Sequence, residues 1–101
     1  MEKIKWTRES VLWLKDIYDY IAKDDAKIAL KIIQGIYRQV DILNTFPLSG
    51  QRLFGFKEEA RVLLYGHYRI AYLVKENNHI DILGVFHGSL DINRYLDNNL
   101  L

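Results

Sequence analysis

Three histidines, His67, His79 and His87, are the side chains in this sequence suited to acid–base chemistry, because an unperturbed imidazole titrates near ~6.5 and can give or take a proton at neutral pH. Two arginines, Arg61 and Arg69, lie in the same stretch, RVLLYGHYRIAYLVKENNHIDILGVFH, which runs from Arg61 to His87. Each has a structural alternative. Arg69 could pair with Asp81 or Glu76 across neighbouring strands, and His87 could be a strand-end histidine donating to a backbone carbonyl. His67 and His79 fall in or beside turns, where solvated side chains are the rule. The three histidines have no i, i+4 metal-ligand spacing and the chain has no cysteine, so neither a metal nor a cofactor is expected. A second group is Arg52, Leu53, Phe54, Phe56 and Lys57, which form an exposed binding patch unless their loop folds inward to cap the core. Tyr65, Tyr68 and Tyr72 could stack bases, but they alternate within runs that must be buried, which favours a core or partner-facing role.

The elements that must position these residues follow from periodicity. Three runs rich in Val, Ile, Leu and Tyr are separated by Gly66-His67 and Glu76-Asn77-Asn78, so they read as an antiparallel three-stranded meander. On the middle strand Tyr68, Ile70, Tyr72 and Val74 oppose Arg69, Ala71, Leu73 and Lys75. On the last, Ile80, Ile82, Gly84 and Phe86 oppose Asp81, Leu83, Val85 and His87. Neither face is polar, so both need covers.

One cover is legible upstream. Lys3 to Trp6 alternates and is expected to add a strand, making four. Thr7 is placed to cap a helix from about Arg8 to Lys23 with Val11, Leu14, Ile17, Tyr18 and Ile21 at helical spacing. Trp13 and Tyr20 flank that stripe and are expected to pack. Asp24 or Asp25 can cap a second helix, striped by Ala29, Ile32, Ile33, Ile36, Tyr37, Val40 and Leu43 and ending near Asn44-Thr45, ahead of Pro47. The two helices should form an antiparallel hairpin over one sheet face. The segment TFPLSGQRLFGFKEEA then reads as a loop of about 15 residues, a length that is usually functional or mobile. The C-terminal INRYLDNNLL reads as a short amphipathic segment, too small to cover the other face, which leaves room for a partner.

The chain has 101 residues, 50% of them hydrophobic and 27% charged, with a net charge of +1, which describes one folded domain and argues against a diffuse polybasic nucleic-acid binder. There is no signal-like N-terminal run and no stretch of bilayer-spanning length, so no membrane association is expected and the cytoplasm is the default location.

The order of strand, helical hairpin, loop and meander resembles the RelE/ParE superfamily of bacterial toxins, and its ParE branch more than RelE. The residues that carry the likeness are Trp6, the Phe46-Pro47-Leu48-Ser49-Gly50 turn, Tyr68-Arg69-Ile70-Ala71-Tyr72 and Val85-Phe86-His87-Gly88. The resemblance implies an α+β fold, a helical hairpin on a four-stranded mostly antiparallel sheet, and the toxin of a type II toxin-antitoxin pair that a cognate antitoxin neutralises. It implies one of two activities, poisoning of DNA gyrase as in ParE-like members or ribosome-dependent cleavage of mRNA as in RelE-like ones. A third outcome is a degenerate member kept for antitoxin binding. Under the nuclease reading Arg69 matches the phosphate-binding strand arginine, His87 the strand-end catalytic histidine, and Arg61 is a second phosphate clamp. However, the tail after His87 lacks the tyrosine or closely spaced basic residues of the nucleases. Arg52, Lys57, Phe54 and Phe56 are then the target- or RNA-binding residues, and Tyr65, Leu73, Leu83 and Val85 the antitoxin-binding ones.

Overall fold

The computed structural model describes residues 3–87. Strand β1 (Ile4–Trp6) leads into helix α1 (Arg8–Ala22), then α2 (Ala26–Asp41), which ends in a 3₁₀ turn over Ile42–Asn44. Four strands follow: β2 (Gln51–Leu53), β3 (Glu59–Tyr65), β4 (Tyr68–Val74) and β5 (Ile80–His87). The sheet is five-stranded and mixed, in the order β1-β5-β4-β3-β2. This corrects the expected four-stranded, mostly antiparallel sheet in two ways. β1 pairs in parallel with β5, Ile4 opposite Ile80 and Trp6 opposite Ile82, and the stretch expected to be all loop contributes β2 as an antiparallel edge strand on β3. Three residues are too few to show a period in sequence, and β2 exists because β3 offers it a ladder. The expected C-terminal amphipathic segment lies outside the described residues.

The helix boundaries follow from capping. Thr7 Oγ1 accepts from the Ser10 amide at 3.2 Å and donates to the Ile82 carbonyl at 2.6 Å, so one hydroxyl caps α1 and moors it to β5. Of the two aspartates, Asp25 is the cap of α2, its carboxylate accepting from the Lys27 and Ile28 amides. The hairpin turns are as their residues require: Gly66, Asn77 and Asn78 all take positive φ, near 56–59°, which glycine and asparagine tolerate best.

The hairpin packs on the sheet face carrying Leu63, Ile70, Tyr72, Ile80, Ile82 and Val85, and these form the main core with Leu14, Ile36, Val40 and Leu43. α2 comes close to β3 at Gly35, where any Cβ would collide with the phenol of Tyr65. The expected alternation of the last strand holds only as far as Ile82. Tyr72 faces Ile82 but Ala71 faces Gly84, so Leu83 is an extra residue, a bulge that reverses the parity of everything after it. Val85 therefore joins the helix-covered face, and Phe86 goes to the other. There Phe86, Val62 and Ala71 form a smaller cluster against which Trp13, Leu53, Phe56 and Leu83 pack. Trp13 packs against both clusters and meets the Phe86 ring at a tilt, 4.7 Å between centroids, beyond the point where β1 stops pairing with β5.

Candidate functional site

The two residues assigned to nuclease chemistry are not on one surface. His87 is opposite Tyr68 in the ladder and Arg69 is opposite Phe86, so His87 lies on the helix-covered face and Arg69 on the other. His87 packs edge-on to the Tyr68 ring at 5.4 Å and borders an apolar groove of about 410 Å³ lined by α1 residues Trp13, Ile17, Tyr20 and Ile21, with Asp16 at its rim. Burial pushes the Tyr68 phenol above its ordinary pKa, keeping a neutral ring beside the histidine. Arg69 is exposed and has no ion-pair partner among the described residues. The pairing expected for it with Asp81 is taken by Lys75, whose ammonium is 3.1 Å from that carboxylate and is held above its usual pKa by it.

Arg61 is spent on structure, which corrects its assignment as a free phosphate clamp. Its Nε donates to Glu59 at 2.7 Å, and one terminal nitrogen donates to the carbonyls of Leu48 at 3.0 Å and Gly50 at 2.7 Å. Those bonds occupy three of its five N–H donors in a side chain that is largely buried. Tyr72 completes the clamp from the neighbouring strand, donating to the Pro47 carbonyl and accepting from the Gly50 amide, both at 2.9 Å. Burial raises the pKa of this phenol, opposed by the Gly50 amide and the nearby Arg61 charge. Sequence reasoning singles out Pro47-Leu48-Ser49-Gly50, Arg61 and Tyr72 separately. Nothing local announces that they form one network, because their ring of bonds closes across 11 to 25 residues of chain.

The loop residues divide. Phe56 turns inward to the second cluster, as the capping alternative requires, while Phe54 is 81% exposed with the Arg52 guanidinium 5.3 Å above its ring. Lys57 is exposed. Of the antitoxin-binding assignments, Val85 is fully buried in the main core and Leu73 is buried on the opposite face, so neither is offered at the surface. Leu83 is half-buried at the bulge, and Tyr65 is half-buried against Gly35. Among the described residues no group of His, Asp and Glu side chains is placed to hold a metal ion, and no helix is long and apolar enough to cross a membrane.

Residues 4–92 match the sequence profile of the ParE toxin of type II toxin-antitoxin systems, parDE. The chain belongs to the ParE toxin family. Y4kP of Sinorhizobium fredii, a protein described as a candidate toxin, is 32% identical over 88 residues, covering 85% of this chain and 88% of its own. A solved chain from the chromosomal ParDE toxin-antitoxin system of P. aeruginosa superposes with a TM-score of 0.69 at 28% identity, covering 83% of this chain and 92% of that one. As a ParE-family member the chain is the toxin side of a two-protein module, and a cognate antitoxin is the partner that membership implies.

Proposed function

We propose that this ParE-family toxin arrests bacterial growth from the cytoplasm by binding a protein target, DNA gyrase, without chemistry of its own, and that its antitoxin relieves the arrest. The observation that carries this reading is the separation of Arg69 and His87 onto opposite faces of the sheet. Metal-free RNA cleavage needs a proton-transferring group and a phosphate-holding cation converging on one phosphodiester, within about 3 Å of the reacting atoms. Arg61, the other cation considered for the phosphate, is engaged by Glu59, Leu48 and Gly50. The nuclease alternative draws on one feature, the exposed cation of Arg69, which has no ion-pair partner among the described residues.

The deciding assay adds the purified chain to gyrase and relaxed plasmid. Loss of supercoiling, reversed by antitoxin, is the expected result. New mRNA 5′ ends inside translated codons after induction, absent with Arg69→Ala, would instead establish the nuclease.

A further inference from the structure

We propose that the C-terminal segment of this chain, residues 90–101, is a strap that folds back over the sheet face opposite the helices, so that this face is closed by the toxin itself and not by a partner. The strap does not depend on which target the toxin binds. That face is dry although the helical hairpin packs on the other side of the sheet. Ala71 keeps 0% of its surface and Phe86 2%, with Leu73 and Val62 also buried. They are this dry in the single chain, so whatever excludes water from them belongs to the chain.

The described side chains that reach this cluster come from its flanks. Trp13 arrives from α1, Leu53 and Phe56 from β2 and the loop after it, and Leu83 from the bulge. Between the flanks two rows of residues cross the strands, Phe86–Arg69–Leu64 and Gly84–Ala71–Val62, and Leu64 at the end of the first is still 57% exposed. Periodicity alone leaves a whole sheet face to cover, which is too much for a short segment, whereas the fold leaves a strip two rows wide. The chain passes directly from the first row into the segment, since His87 follows Phe86 and Gly88-Ser89 then precedes Leu90. Ile92, Tyr95 and Leu96 recur at helical spacing, which sets three apolar side chains on one side. As a helix, residues 92–101 would be ~15 Å long. Crossing β5, β4 and β3, spaced ~4.8 Å apart, takes about 10 Å. The family match stops at residue 92, so most of the segment lies beyond it.

Charge favours the same occupant. At the far end of this face Lys75 pairs with Asp81 at 3.1 Å, with Glu58 close by and Lys57 beside it on the same loop. Arg69, at the end where the segment begins, is exposed and has no ion-pair partner among the described residues. Asp91 is the first charged residue after His87, four positions on, and its carboxylate complements the guanidinium.

The test uses the full chain, which has no cysteine of its own to interfere. Leu64→Cys is combined in turn with Ile92→Cys, Tyr95→Cys and Leu96→Cys, and Leu30→Cys, on the exposed side of α2, takes the same three partners as control. The expected result under mild oxidation is an intramolecular disulfide in at least one Leu64→Cys pair, forming at least tenfold faster than in any control pair and at a rate independent of protein concentration. Equal rates in the two sets would overturn the proposal. Cross-linked dimers alone would also overturn it, by making a second copy the occupant. So would the absence of an intramolecular disulfide together with a Leu64→Cys thiol shielded from alkylation only by added antitoxin, since the antitoxin would then be the occupant. A second measurement does not depend on register. In the full chain carrying Ile92→Ser and Leu96→Ser, the Ala71 and Val62 methyl groups should become accessible to a soluble paramagnetic agent while those of Ile36 and Val40 stay protected. Unchanged protection of Ala71 and Val62 would sink the strap.

Discussion

Arg69 and His87 are offset by a single residue across the β4–β5 ladder, Arg69 opposite Phe86 and His87 opposite Tyr68, and that one step sends their side chains to opposite faces of the sheet. A general acid or base contributes about 10²–10⁴ in rate where it acts. His87→Ala should therefore leave growth arrest intact in a protein inhibitor and abolish it in a nuclease. Titrating the inducer against colony counts separates the two outcomes.

Tyr72→Phe should destabilise the chain by about 1–3 kcal/mol, because it leaves the Gly50 amide and the Pro47 carbonyl without a partner inside the fold. The same phenol makes stability fall in alkali. Its pKa is raised in the folded state, mainly by burial, so its contribution is complete below the ordinary value of 10.0 and is lost as pH climbs from there through the folded value. Tyr68 is shifted the same way and adds to the slope. Thermal midpoints between neutral pH and pH ~11 should fall less steeply for Tyr72→Phe than for the unmodified chain. Parallel curves would show that the phenol is not the titrating group.

Arg61→Ala should cost about 1–3 kcal/mol in urea unfolding, since it removes the partner of the part-buried Gly50 carbonyl and of the Glu59 carboxylate. Arg61→Lys should recover only part of this, because a single ammonium cannot reach the Glu59 carboxylate and two carbonyls from one fork. A variant that keeps full stability but loses toxicity would return Arg61 to the active surface.

Gly35→Ala tests the approach of α2 to β3. Alanine is intrinsically better in a helix than glycine by about 1 kcal/mol. Here the added methyl would overlap the Tyr65 phenol, so a net loss of about 1–3 kcal/mol is expected. Pairing it with Tyr65→Ala should turn the sign of the Gly35 change, which a double-mutant cycle reads directly. An unchanged sign would place the clash elsewhere.

Where the residues misplace the candidate surface, the reasons are specific. Phe54 and Phe56 are two positions apart on one loop with the same side chain, yet one stacks under Arg52 in solvent and the other packs against the second cluster. Composition cannot separate them, because the difference lies in which way the backbone turns at Gly55, whose φ is +93°. Strict alternation carried through Leu83 puts Val85 on a partner-facing surface, whereas it lies in the core. A bulge breaks alternation without leaving a mark in local sequence, since any residue can be the extra one.

The amino-acid sequence by itself determined what local chemistry controls. The two helices, the cap at Thr7, the turns at Gly66 and Asn77-Asn78 and the three long strands all follow from side-chain period, capping and tolerance of positive φ. Tertiary structure alone decided what depends on register and closure. It recruited β2 as a fifth strand, joined β1 in parallel to β5, separated Arg69 from His87, and drew Arg61 and Tyr72 together beneath the Phe46–Gly50 turn. The physical reason is range. Capping and periodicity act over three or four residues, whereas a ladder partner or a clamped carbonyl is chosen by whichever distant group the packed core leaves within hydrogen-bond distance.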